Sequence, residues 1–171
     1  MKITRIPQLI LFVTLLGLAL PARAETMSVP SKEKAAYTFD VPSDWKPKGD
    51  PNDESVEATA PEDAAYVLAW TRKASDVKGL TKDLDATLSD AMKSVDKDVK
   101  QSEVDQNGSH FYVISGSGLD KRAGNKVHFV VGIFDAGNGQ AGIVYADMDA
   151  DAPASTMSQL EGILKSIKVK K

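Results

Sequence analysis

Apolar and polar residues trade places along this chain with two distinct periods. In Tyr37-Thr-Phe39-Asp-Val41 they alternate, which predicts a strand with one dry and one wet face, suited to a sheet edge and stopped by Pro42. Pro42-Ser-Asp-Trp45-Lys-Pro47 reads as a turn whose indole folds back over the core, followed by an exposed loop over 48–54. A short strand is expected over 55–60, then the turn Pro61-Glu-Asp, then a strand over 65–73. Tyr66, Leu68 and Trp70 line one side of that last strand and Val67, Ala69 and Thr71 the other, the signature of an interior strand covered on both faces.

The period then lengthens. Leu80, Leu84, Leu88, Ala91, Met92 and Val95 recur at helical spacing, which predicts a helix over 82–96 capped by Thr81, with its leucine stripe on a sheet. Such a stripe is core rather than a cofactor box. Asn107-Gly108 between apolar runs predicts a hairpin, and Gly116 to Asn125 a longer polar connection. The run from Val127 to Phe134 is apolar on both sides, and Ala136-Gly-Asn-Gly139 turns the chain back into a strand over 141–146, so three strands form a meander. Pro153 marks a helix start, and Met157, Leu160, Leu164 and Ile167 form its inward stripe. The expected fold class is α+β, a mostly antiparallel sheet sandwiched between two amphipathic helices.

Upstream of these elements, Lys2 and Arg5 precede a twelve-residue run, Leu9 to Leu20, that is apolar but for Thr14 and too short to cross a hydrocarbon core of roughly 30 Å. Pro21 ends the run and Ala22-Arg23-Ala24 supplies the small residues of a signal-peptidase site, so residues 1–24 are expected to be a cleaved export signal, cut before Glu25. Residues 25–36 then read as a flexible leader, and 37–171 as one globular domain. The mature protein is expected to be soluble and periplasmic or secreted.

Composition narrows the chemistry. The chain has no cysteine, which excludes disulfides, thiolate metal sites, a cysteine nucleophile and a lipid anchor on an amino-terminal cysteine. Loss of residues 1–24 removes three of the 21 basic residues and none of the 24 acidic ones, taking the net charge from −3 to −6. An acidic surface of this kind disfavours nucleic acid and anionic membranes as partners.

The order of elements, together with the opening Tyr37-Thr-Phe-Asp-Val-Pro-Ser-Asp-Trp45 and the closing Ile163-Leu-Lys-Ser166-Ile, resembles the PsbP-like family over residues 36–169. Members of that family commonly open with an aromatic strand running into a "vP-x-x-W" turn and close with a helix ending "il-x-S-i". The resemblance implies an α/β/α sandwich. It places the chain beside extrinsic proteins of the photosynthetic oxygen-evolving complex, a Ran-binding nuclear protein and exported bacterial proteins, mostly binders rather than enzymes. No catalytic set is common to the fold, so Trp45 and Ser166 match as scaffold positions only.

Three constellations could carry chemistry. His110 and His128, on adjacent predicted strands, would suit a metal but lack a third ligand at a characteristic spacing. Asp147, Asp149 and Asp151 alternate and could present three carboxylates to a hard cation, but an EF-hand loop beginning at Asp147 would need glycine and glutamate where Ala152 and Ser158 stand. Those acids suit the amino terminus of the last helix better. Ser117 sits in a Gly-Ser-Gly turn, but between two strands rather than in the strand-to-helix elbow of a nucleophilic serine. With no catalytic set, no cofactor motif and a metal role only weakly offered by the three aspartates, the expected function is an exported, non-catalytic binding or accessory protein of the cell envelope. It would engage a protein partner through one sheet face or the 116–125 loop. The alternative is a carrier of a small ligand or divalent cation near Trp45, Trp70 or the aspartates, and an unrecognised hydrolase ranks below both.

Overall fold

Two antiparallel sheets and two helices realise these alternations in a computed structural model that describes residues 24–50, 55–97, 99–122 and 124–170. In chain order the elements are β1 (Ala24–Val29), β2 (Tyr37–Pro42), β3 (Lys46–Asp50), β4 (Ser55–Thr59), β5 (Ala65–Lys73), α1 (Val77–Ala91), β6 (Met92–Val95), β7 (Lys100–Gln106), β8 (Ser109–Asp120), β9 (Lys126–Gly137), β10 (Gln140–Asp149), α2 (Ala154–Ser166) and β11 (Lys168–Val169). The larger sheet runs β3-β4-β5-β10-β9-β8-β6, with β7 also paired to β8; the smaller runs β1-β2-β11. The export signal expected at residues 1–24 lies, but for Ala24, outside the described residues.

Strand alternation divides the large sheet into two faces, each with its own cover. Trp70, Ile143, Tyr145, Val131 and Phe129 form one apolar cluster beneath the leucines of α1. Val67, Ala69, Val144, Ala146 and Phe134 form another with Tyr37, Phe39 and Trp45 and with Leu160 and Ile163 of α2. The α+β sandwich is therefore as expected, with one addition: the small sheet joins α2 in one covering layer.

The two stretches that carry the family resemblance are the seam of that layer. Trp45 Nε1 donates to Gln159 of α2 at 3.1 Å. Ser166 Oγ accepts from the Asp40 amide at 2.8 Å and donates to the Ile163 carbonyl at 2.7 Å. The Asn107-Gly108 turn, with both residues at positive φ as a tight hairpin requires, reaches the same helix. Asn107 Nδ2 donates to the carbonyls of Lys165 and Ile167 at 2.9 and 2.8 Å, satisfying acceptors at the end of α2 that the helix itself leaves open.

Several expectations are corrected, most of them because a pairing partner outweighed local pattern. The leader expected over 25–36 begins as β1, paired in register with β2 from Ala24↔Pro42 to Val29↔Tyr37. With β11 on its other side, β2 is the centre of its sheet rather than an edge. Residues 46–50, read as turn and loop, pair with β4; of the loop expected over 48–54, residues 51–54 lie outside the described residues. The first helix begins five residues earlier than expected because Asp76, not Thr81, caps it, accepting from the Gly79 amide at 2.9 Å. It ends earlier because Met92–Val95 pair with β8.

The polar connection expected from Gly116 is strand as far as Asp120. Gly116 and Gly118 serve close approach rather than a turn: an added Cβ would lie 2.9 Å from the Phe129 ring and 2.4 Å from the Ser94 carbonyl. On α2, Met157 faces solvent at 47% exposure, while Ile163 takes the central inward position.

Candidate functional site

The aspartates singled out from the sequence lead to a polar cavity at the carboxyl end of α1. Asp147 and Asp149 lie on β10, not in a loop ahead of α2, and the first turn of α2 contains no acidic residue. Their expected capping role is therefore not realised. Asp147 is buried, Asp149 is half-buried and Asp151 is exposed. They are not gathered about one point, and among the described residues no three His, Asp or Glu side chains are grouped to hold a metal ion.

Asp147 faces a different set of partners. Tyr145, two residues earlier and so on the same face of β10, donates its hydroxyl to Asp147 Oδ2 at 2.7 Å. Arg122, between β8 and β9, brings Nη2 to 3.6 Å from Asp147 Oδ1 and Nε to 3.7 Å from Asp120 Oδ2. Its guanidinium also lies 5.4 Å from the centre of the Tyr66 ring, within cation–π range, while Tyr66 donates its hydroxyl to Glu57 at 2.7 Å. Thr87, Asp90 and Ala91 of α1 complete a cavity of about 250 Å³.

Electrostatically this is a buried acid held by one half-exposed base. Burial raises the Asp147 carboxyl above its ordinary range, against the hydrogen bond from Tyr145 and the charge of Arg122, both of which lower it. Burial likewise raises both phenols. The folded protein thus holds the Asp147 proton more readily than the unfolded chain does. The matching stability is complete below the ordinary carboxylate value of about 3.9 and is lost as pH rises through the raised value. Asp147→Asn is therefore expected to be more stable than the parent at pH 7–8, by about 1 kcal/mol or a few degrees in Tm. The gap should close as pH falls to 4 in thermal melts; a variant less stable at every pH would reject this account.

The remaining candidates are separated by the register. His110 is exposed and binds Asp105 Oδ1 at 2.8 Å through Nδ1, with Glu103 at 3.6 Å from Nε2; the Asp105 bond and charge, with that of Glu103, raise its pKa. His128 sits opposite Ser117 across β8 and β9, its Nδ1 3.1 Å from Ser117 Oγ. The two histidines therefore have different neighbours and form no pair. Ser117 and His128 do meet, but Ser117 stands in regular strand without the elbow that exposes a serine nucleophile. Trp45 and Trp70 are both core residues.

A second concavity lies on the same face of the sheet. α1 covers β5, β10 and the Val127, Phe129 and Val131 part of β9, and beside it a groove of about 570 Å³ lies where the start of β8 meets the end of β9 and the β9–β10 turn, lined by Leu80, Tyr112, Ile133, Asp135 and Gln140 among others. Tyr112 is 36% exposed there, and Ile114 and Ile133 are half-buried on the same face. Sequence reading missed this groove and the Arg122 cluster. Continuing the alternation of 141–146 by one step would have put Asp147 on the Tyr145 face, whereas Arg122 joins them only through the folded β8–β9 connection.

A large antiparallel sheet with a helix on one face and a helix plus small sheet on the other defines the α+β sandwich of the PsbP- and Mog1-like proteins. Among solved structures, the chain resembles cyanobacterial PsbP (CyanoP) from Synechocystis, at 14% identity and a TM-score of 0.58, over 90% of this chain and 96% of that one. It also resembles the Ran-binding protein Mog1p of Saccharomyces cerevisiae, at 10% identity and 0.52, over 86% and 96%. A protein from Bacteroides thetaiotaomicron shares 13% identity at 0.51 over 79% of this chain, which spans only 45% of its length. No family model and no curated protein sequence matches the chain.

Proposed function

We propose that this is an exported, non-catalytic accessory protein of the cell envelope that binds a protein partner through the part of its sheet that α1 leaves uncovered. The observation that carries this reading is the groove beside α1, where Tyr112 and Ile133 present apolar surface on a sheet whose other face is buried under α2 and the small sheet. Apolar surface left open in this way marks interaction sites. The fold supports it at the level of class, since Mog1p is itself a Ran-binding protein. Export rests on the basic start, apolar run and small-residue site of residues 1–24. A small-ligand carrier would use the cavity around Asp147, but Arg122 already faces the two buried carboxylates there, and this favours the groove.

Of the 116–125 segment, residues 116–120 belong to β8, and the reading favours the groove over that segment. A photo-crosslinking side chain at position 112, in cells making the full-length chain, is expected to trap a discrete envelope protein on the form processed before Glu25. The same group at Glu161, on the exposed side of α2, should trap none. No adduct from position 112 above the level at 161 would overturn the reading.

A further inference from the structure

The groove carries more information than its apolar floor. Its floor is sheet and one wall is a helix, so the layer that begins with α1 stops partway across the face. A helix is about 10–12 Å across with its side chains, and the open surface beside α1 at the start of β8 and the end of β9 is where a second helix would extend the layer.

The charged side chains on its margin are mostly acidic. Asp135 lines it, and Glu103 and Asp105 approach it through His110, which lines it as well. His110 is the one ionisable base among the lining residues, and those two acids already share it. On the α1 side, Arg72 is paired with Asp83.

We infer that the groove takes an amphipathic helix of the partner protein whose apolar stripe is flanked by lysine or arginine. This rests on the proposed function and specifies the partner it requires. Leu80, Tyr112 and Ile133 would receive the apolar positions of the helix at i, i+3, i+4 and i+7. Glu103, Asp105 and Asp135 would face its cations, which steers association and sets selectivity.

The test uses the chain from Glu25 onward and two fluorescent 18-residue peptides, one of leucine and lysine at helical spacing and one with glutamate for every lysine. Anisotropy is expected to show the lysine peptide binding at least tenfold tighter, with affinity falling as salt rises. Tyr112→Ala should weaken it tenfold or more. Glu103→Lys with Asp105→Lys, at exposed positions that leave folding intact by circular dichroism, should reverse the preference. Equal binding of both peptides, or unchanged binding in both variants, overturns the inference. The two levels fail separately: an adduct from position 112 whose captured segment is acidic or extended keeps a protein partner and rejects the basic helix, whereas absence of any adduct rejects the proposed function itself.

Discussion

Replacing Trp45 by alanine is expected to remove about 3–5 kcal/mol of stability, the range for emptying the space of a buried large aromatic, and to lower Tm by roughly 6–20 °C. Trp45 is 2% exposed and among the largest fully buried side chains. It packs in one cluster with Tyr37 and Phe39 of β2 and Leu160 and Ile163 of α2, and its indole N–H is bonded to Gln159. Its loss therefore opens a cavity where β2 and α2 meet and strands a polar partner. Trp45→Phe keeps most of the volume and gives up the hydrogen bond, and should cost about 1 kcal/mol for the bond plus part of the packing. The informative contrast is Met157→Ala. The helical spacing alone makes Met157 a core residue, whereas at 47% exposure its truncation should move stability by no more than about 0.5 kcal/mol. Urea titrations of the three variants decide it: a Trp45→Ala midpoint near that of the parent, or a Met157→Ala midpoint far below it, would contradict the packing described.

The second large effect is a coupling across β9 and β10. Phe134 and Gly142 are cross-strand partners, and a Cβ on Gly142 would stand 2.5 Å from the Phe134 ring. That ring cannot yield easily, because it packs against Tyr37 at 4.9 Å and Phe111 at 4.6 Å between centres. Phe134→Ala should destabilise by about 3–5 kcal/mol, and Gly142→Ala by about 1–3 kcal/mol through overpacking. Together they should cost less than their sum by about 1 kcal/mol or more, since the new methyl enters space that the ring has vacated. Strict additivity in a double-mutant cycle would mean that the glycine serves the backbone and not the ring.

The order of elements was legible wherever one side-chain pattern sufficed. The alternation of Tyr37, Phe39 and Val41, the two-sided apolar strand at 65–73, and the Asn-Gly hairpin each appear in the structure at or near the residues read for them. The boundaries were less so, since Met92–Val95 is strand through its pairing with β8, and Gly116–Asp120 through its pairing with β6 and β9. For the candidate site, the pattern placed Tyr145 on a strand face but ended that strand at 146, and so left Asp147, Arg122, Asp120 and the open surface at Tyr112 and Ile133 unrelated.

By itself the sequence determined which residues avoid water, which turns the chain can make, and the surplus of acid it carries, because periodicity, turn chemistry and charge are local properties. Tertiary structure decided what lies beside what. β1 is a strand because β2 offers it a ladder, and Asp147 holds its proton more tightly because burial removes its water while Arg122 stays partly outside. The groove exists because α1, begun at Asp76 and ended at Met92, covers only part of the face. Register, burial and the reach of one element over another depend on segments far apart in sequence, and a local pattern cannot contain them.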